Sequence, residues 1–117
     1  MKAVIKATEK EGSLQVADMP VPKPGPSEVL VRLAASSICY SDSSILSNKY
    51  VGRKPVPIPM ILGHEGAGTI EALGEGAAGC TVGDRVILEP IGGCGTCPSC
   101  KKGLKKMCPN WDHIGIT

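Results

Sequence analysis

A mainly β fold is predicted by three features of this chain of 117 residues. Its apolar residues fall in short runs with period-two alternation, where a helical protein would show longer stripes at a 3.6-residue period. Fifteen glycines and ten prolines punctuate those runs, and both residue types interrupt helices. Near the end, CGTCPSCKKGLKKMC gathers four cysteines into one short stretch, the mark of a loop shaped by a metal. Residues 1–117 are one domain's worth of chain, able to bury roughly two thirds of their unfolded surface. They contain no repeat or linker.

In chain order, residues 2–7 and 13–18 read as strands, the second with Leu14 and Val16 alternating, and Lys10-Glu11-Gly12 between them reads as a hairpin turn. Pro20, Pro22, Pro24 and Pro26 exclude helix and central strand, leaving an extended surface connection. Residues 28–35 set Val29, Val31, Leu33 and Ala35 on one face, the clearest alternation in the chain. A short helix is expected around Ser41–Leu46 with Ser41 or Asp42 as its cap. The stretch 50–60, with Pro55, Pro57 and Pro59, reads as loop, and strands follow at 67–73 and 84–88.

Charge and composition exclude several functions. Thirteen basic residues against eleven acidic give +2, and Tyr40, Tyr50 and Trp111 are the only aromatic residues. Nucleic acid therefore has neither an electrostatic footprint nor a stacking platform. Lys101, Lys102, Lys105 and Lys106 form the one basic cluster, between the third and fourth cysteines of the lobe. Four thiolates on a divalent ion carry net negative charge, which such a solvated lysine face offsets. MKAVIKATEK has no apolar stretch of signal-peptide length and no run approaches a membrane span. A soluble, cytoplasmic protein with no membrane partner is expected.

Cys94, Cys97, Cys100 and Cys108 fit a closed tetrahedral shell, because two-residue gaps let successive thiolates converge on one Zn²⁺. Disulfides require an oxidising compartment, which nothing here indicates. An iron–sulfur cluster of the ferredoxin type has three residues before its last cysteine, whereas seven separate Cys100 from Cys108. A closed zinc shell is structural, so chemistry must be sought elsewhere. Gly74, Gly76 and Gly79 spell GxGxxG, the pattern of a dinucleotide fingerprint. That fingerprint must open a helix, yet Cys80 to Asp84 run at once into the strand at Arg85. The glycines read as turn formers, with Cys80 as a small buried apolar residue.

A second constellation is Cys39 with His64 and Glu65, at the edges of predicted strands. On their own they read either as a buried thiol with a hydrogen-bonded ring or as metal ligands. Gly63-His64-Glu65-Gly66-Ala67-Gly68, then Thr69-Ile70-Glu71, Gly74, Gly76 and Val82-Gly83-Asp84-Arg85-Val86, resembles the signature of zinc-dependent alcohol dehydrogenases of the medium-chain dehydrogenase/reductase superfamily. The opening MKAVIKA, the Pro-Gly-Pro turn before Glu28, the run Ser37-Ile38-Cys39-Tyr40-Ser41-Asp42 and the four-cysteine lobe match the same family in the same order.

The resemblance implies a GroES-like, partly open β-barrel with a zinc-binding lobe at about 92–112. It implies that Cys39 and His64 are ligands of a catalytic zinc, that Asp42 orients the His64 ring, and that Glu65 lies beside the metal as an occasional ligand or a tuning charge. Ser41 would accept the substrate hydroxyl proton. The implied reaction oxidises an alcohol to an aldehyde or ketone through a zinc-bound alkoxide, with hydride passing to NAD or NADP, or reduces a carbonyl in reverse. Small-molecule alcohols or carbonyls are the implied substrates, and a homo-oligomer the implied state at full length. In such enzymes the third catalytic-zinc ligand and the Rossmann domain lie beyond the segment matched here, so residues 1–117 are expected to be the N-terminal portion of the catalytic domain. Ser44 replaces a relay histidine found in some relatives, and Tyr40 a basic residue near the cofactor pyrophosphate in others, which leaves NAD against NADP open. The alternative is a stand-alone zinc-ribbon module, which would need neither Cys39 nor His64.

Overall fold

The computed structural model describes residues 1–116. Its elements are β1 (Lys2–Lys6), β2 (Leu14–Asp18), β3 (Val29–Ser36), α1 (Tyr40–Leu46), β4 (Met60–Ile61), β5 (Gly66–Leu73), β6 (Arg85–Ile87), β7 (Ile91–Gly92), α2 (Pro98–Lys101) and β8 (Asp112–His113), with a 3₁₀ turn at Lys105–Met107. The strands form two three-stranded sheets, ordered β2-β1-β4 and β3-β5-β6, and a two-stranded ribbon of β7 and β8. No pairing among the described residues closes these sheets into a ring, so the barrel is partly open. No helix among them is long and apolar enough to cross a membrane.

The first hairpin forms as its sequence dictates: β1 and β2 pair antiparallel from Lys2 opposite Asp18 to Lys6 opposite Leu14. Gly12 takes φ +69° in the connecting turn, a conformation glycine adopts without steric cost. Ala3 and Ile5 face inward. The alternation of Leu14 and Val16 points the other way, since they remain 52% and 70% exposed.

The predicted single apolar face of β3 is not realised. Its register with β5 shifts between Leu30 and Val31 and again between Leu33 and Ala35. The first leaves an extra residue, Glu71, on β5 and the second an extra residue, Ala34, on β3; an extra residue reverses the pleat of the strand that carries it, so Ala35 leaves the face that Val29, Val31 and Leu33 share. Val29 and Leu33 stay 37% and 53% exposed. Leu33, with Val4, Leu14, Ile38 and Ile61, leaves an apolar face open around a groove of about 410 Å³ that Met1 also lines.

Two further expectations need correction. The cap of α1 is Cys39, one residue before the helix and not Ser41 or Asp42. Asp42 occupies the third helical position and its carboxylate accepts the Cys39 amide at 2.9 Å, satisfying a donor that the helix leaves free. Cys80 is half-buried in the β5–β6 connection, not a core residue, because that connection runs over the surface. Gly76, Gly79 and Gly83 there have φ of +74°, +80° and +98°, while a Cβ on Gly74 would collide with the Gly25 carbonyl. The connection leads straight into antiparallel β6, and its glycines are turn formers.

The best-buried cluster is small: Ile45 of α1, Met60 of β4 and Ile116, with Tyr50, Val56, Ile58 and Leu62 packed around them. Ile116 matters for the site because it draws the chain leaving the cysteine lobe back onto α1 and β4. Gly115, at φ +74°, lies where any Cβ would strike the Gly63 carbonyl. The end of the chain thus presses against the residue preceding His64.

Candidate metal centres

The cysteine lobe brings the four sulfurs of Cys94, Cys97, Cys100 and Cys108 within 4.8 Å of one another. Local structure explains how. Cys97 caps the one-turn helix α2, where Pro98 starts the turn, and its sulfur accepts the Cys100 amide at 3.4 Å. The Cys108 sulfur, fully buried, accepts the Cys94 amide at the same distance. A Cβ on Gly93 would come within 2.6 Å of the Cys100 sulfur, so the chain can fold this tightly only with glycine there. The thiols differ in acidity. The Thr96 hydroxyl, followed by backbone amides, lowers Cys94 to about 6. Burial, reinforced by the neighbouring sulfurs, pushes Cys100 up to about 12. Removing a proton from every thiol therefore needs a cation among them, which is the chemistry of a four-thiolate metal site.

The second cluster forms where α1 meets the start of β5. One donor atom each from Cys39, His64 and Glu65 lies within 4.8 Å of the others. His64 and Asp42 are each 5% exposed. His64 Nδ1 faces Asp42 Oδ1 at 3.5 Å, a contact between two buried polar atoms that have no hydrogen-bond partner among the described residues. His64 Nε2 lies 3.1 Å from the Ser41 hydroxyl. The other Asp42 oxygen accepts the Cys39 amide, so one carboxylate caps the helix and lies behind the ring. Glu65 is exposed and accepts the Ser37 hydroxyl at 2.8 Å; that bond, then one from Cys39, lowers its pKa and keeps it ionised. A thiol, an imidazole and a carboxylate converging at this range form a donor set suited to zinc. The polar pair behind His64 is the support such a ligand needs.

Sequence reasoning passed over His113. Strand β8 carries it to 5.2 Å from His64, ring centroid to centroid and edge-on, with the Trp111 ring 5.7 Å away and tilted. Burial, then the His64 charge, lowers its pKa and favours the neutral ring. The only available signal was that the chain has just two histidines. Their approach depends on the return of the chain through Gly115 and Ile116.

The model of the alcohol dehydrogenase GroES-like domain matches residues 25–116. The L-threonine 3-dehydrogenase of Deinococcus deserti is 37% identical over 116 residues, 99% of this chain and 33% of that protein. A crystal structure of an NAD-dependent alcohol dehydrogenase superposes with a TM-score of 0.87 at 38% identity, covering 99% of this chain and 34% of the other. A cobalt- and zinc-bound thermostable alcohol dehydrogenase from Pyrobaculum aerophilum gives 0.88 at 31% identity, over 100% and 35%. This chain spans about a third of the length of these relatives. With the fold, the order of its motifs and these similarities in agreement, the chain belongs to the GroES-like domain family of the zinc-dependent, medium-chain alcohol dehydrogenases.

Proposed function

We propose that residues 1–117 supply the metal-holding part of the catalytic domain of a zinc-dependent alcohol or polyol dehydrogenase that uses NAD or NADP. The observation that carries this reading is the buried Asp42–His64 pair at 3.5 Å, set behind a cluster of Cys39, His64 and Glu65 donors. A cysteine lobe acting alone would have no use for it. Zinc held by Cys39 and His64, with Glu65 at its side, would supply a Lewis acid for an alcohol or carbonyl oxygen. Asp42 holds Nδ1 of the ring and leaves Nε2 directed towards Ser41 and the metal side. Ser41 accepts the substrate hydroxyl proton from beside that ring. Glu65, ionised through its bond from Ser37, adds negative charge next to the site. Cys94, Cys97, Cys100 and Cys108 hold a second, structural zinc that folds the lobe.

Metal counting tests the assignment. The chain is expected to take one zinc tightly through the four cysteines and a second, weaker one that is lost in Cys39→Ser and in His64→Asn. Retention of the second zinc in both variants, or strong absorbance near 400 nm from iron in the lobe, would overturn it. Because similar chains include L-threonine 3-dehydrogenases, L-threonine belongs with simple alcohols and polyols among the first substrates to assay in a form that carries a nicotinamide-binding domain.

A further inference from the structure

Lysine is almost never fully buried without a partner, yet Lys6 in β1 is 2% exposed. Its ammonium donates to two carbonyls, Lys10 at 3.1 Å and Leu46 at 3.4 Å. Lys10 lies in the first hairpin turn, and Leu46 is the last residue of α1, where a helix leaves its carbonyls unpaired and presents negative partial charge. Two more bonds join the same two places. The Gly12 amide also donates to the Leu46 carbonyl at 2.9 Å, and the Asn48 side chain donates to the Glu9 carbonyl at 2.7 Å.

An apolar side chain at position 6 would fill the same place without burying a charged group. The charge therefore answers a positional need. Helix α1 has seven residues, too few to be stable or well oriented alone. Its first turn carries Ser41 and Asp42 and begins at Cys39, so any tilt at the Leu46 end moves all three relative to His64. Asp42 closes the first turn itself by accepting the Cys39 amide, a bond internal to the helix. Lys6 ties the last residue of α1 to β1.

We propose that Lys6 is a positioning residue: its buried ammonium clamps the end of α1 to the β1–β2 turn and thereby keeps Cys39, Ser41 and Asp42 aligned with His64. The inference rests on the reading of Cys39, His64 and Glu65 as metal ligands, and its test separates the two. In the whole chain with its cysteine lobe already zinc-filled, Co²⁺ is titrated into the second site of wild type and Lys6→Met, while hydrogen exchange is followed at the amides of α1.

Lys6→Met is expected to bind Co²⁺ about 10–100-fold more weakly, the usual scale for losing outer support of a metal ligand. Its α1 amides are expected to exchange at least several-fold faster, with the zinc of the lobe and the melting temperature retained. A folded Lys6→Met with wild-type cobalt affinity and wild-type α1 exchange would overturn the proposal. So would equal weakening of both metal sites together with a lower melting temperature, which marks a general structural role. If wild type itself takes no Co²⁺ beyond the lobe, the ligand reading fails, and α1 exchange then judges the clamp alone. Should Lys6→Met not fold, Asn48→Gly removes only the bond to Glu9 at a position whose φ of +55° suits glycine. It is expected to shift cobalt affinity and α1 exchange in the same directions by less, and no change in either would overturn the clamp.

Discussion

Cys94 and Cys100 lie in one cluster yet have pKa values moved in opposite directions, because Thr96 and backbone amides stabilise one thiolate while burial penalises the other. In the metal-free protein Cys94, with its pKa lowered to about 6, is thiolate at neutral pH, whereas Cys100 at about 12 remains a thiol. The thiolate is the nucleophile. Limited treatment with iodoacetamide at pH 7 is therefore expected to label Cys94 before Cys100, the Cys94 rate falling as pH drops through about 6, and zinc should protect both. Peptide mapping that found Cys100 labelled first would contradict this ordering. At the second site, Ser41 Oγ stands 3.1 Å from His64 Nε2, close enough to move a proton beside the ring. In a form able to turn over, Ser41→Ala is expected to lower kcat by roughly 10²–10⁴-fold while zinc content stays constant. Full activity of that variant across pH 6–9 would remove Ser41 from proton transfer.

At the scale of elements, the cysteine lobe and the sheets draw stability from different sources. The lobe has one helical turn, one 3₁₀ turn and a two-residue ribbon, and Cys108 is its only fully buried residue of size. The sheets carry their own inward residues, Ala3, Ile5 and Ile70. Chelation is expected to release amide protection across 92–112 and leave β1–β2 and β3–β5 protected; loss of protection in all of them would show that metal and sheets fold as one unit. The return segment offers a sharper probe. Gly115 has φ +74° and no space for a Cβ against the Gly63 carbonyl. Gly115→Ala should cost at least about 1–3 kcal/mol, the scale of a strained left-handed residue, readable as a lower denaturation midpoint. It should also loosen the contact between His113 and His64. A midpoint equal to wild type would mean the segment rearranges freely.

For the whole molecule, the open apolar face around Val4, Leu14, Leu33, Ile38 and Ile61 fits a domain whose core is completed by further structure. Hydride transfer also needs the nicotinamide held against the substrate. Such positioning contributes on the order of 7–11 kcal/mol of a barrier, and the 117 residues alone contain no fingerprint helix to provide it. They are expected to show no alcohol-dependent reduction of NAD or NADP above background. Addition of a nicotinamide-binding domain should restore turnover, and robust activity of the chain by itself would overturn its reading as a part of a larger catalytic unit.

The sequence by itself determined what depends on neighbours in the chain. The positions of β1, β2, β3, β5 and β6 followed from alternation and glycine, while β4, β7 and β8, two residues each, did not; the rejection of a nucleotide helix followed from the five residues between Gly79 and Arg85, and the four-cysteine cluster from spacing within one short lobe. Family membership was legible because several motifs stood in order. Tertiary structure decided what depends on chain segments far apart. The extra residues Ala34 in β3 and Glu71 in β5 arise from the pairing of those two strands, and the first of them takes Ala35 off the face of Val29, Val31 and Leu33. Cys39, not a nearby polar residue, became the cap of α1, with Asp42 in the third helical position accepting its amide. The approach of His113 to His64 and the burial of Lys6 against Leu46 join residues 49 and 40 positions apart. Local pattern carries no record of such contacts, because they exist only once packing has brought distant backbone together.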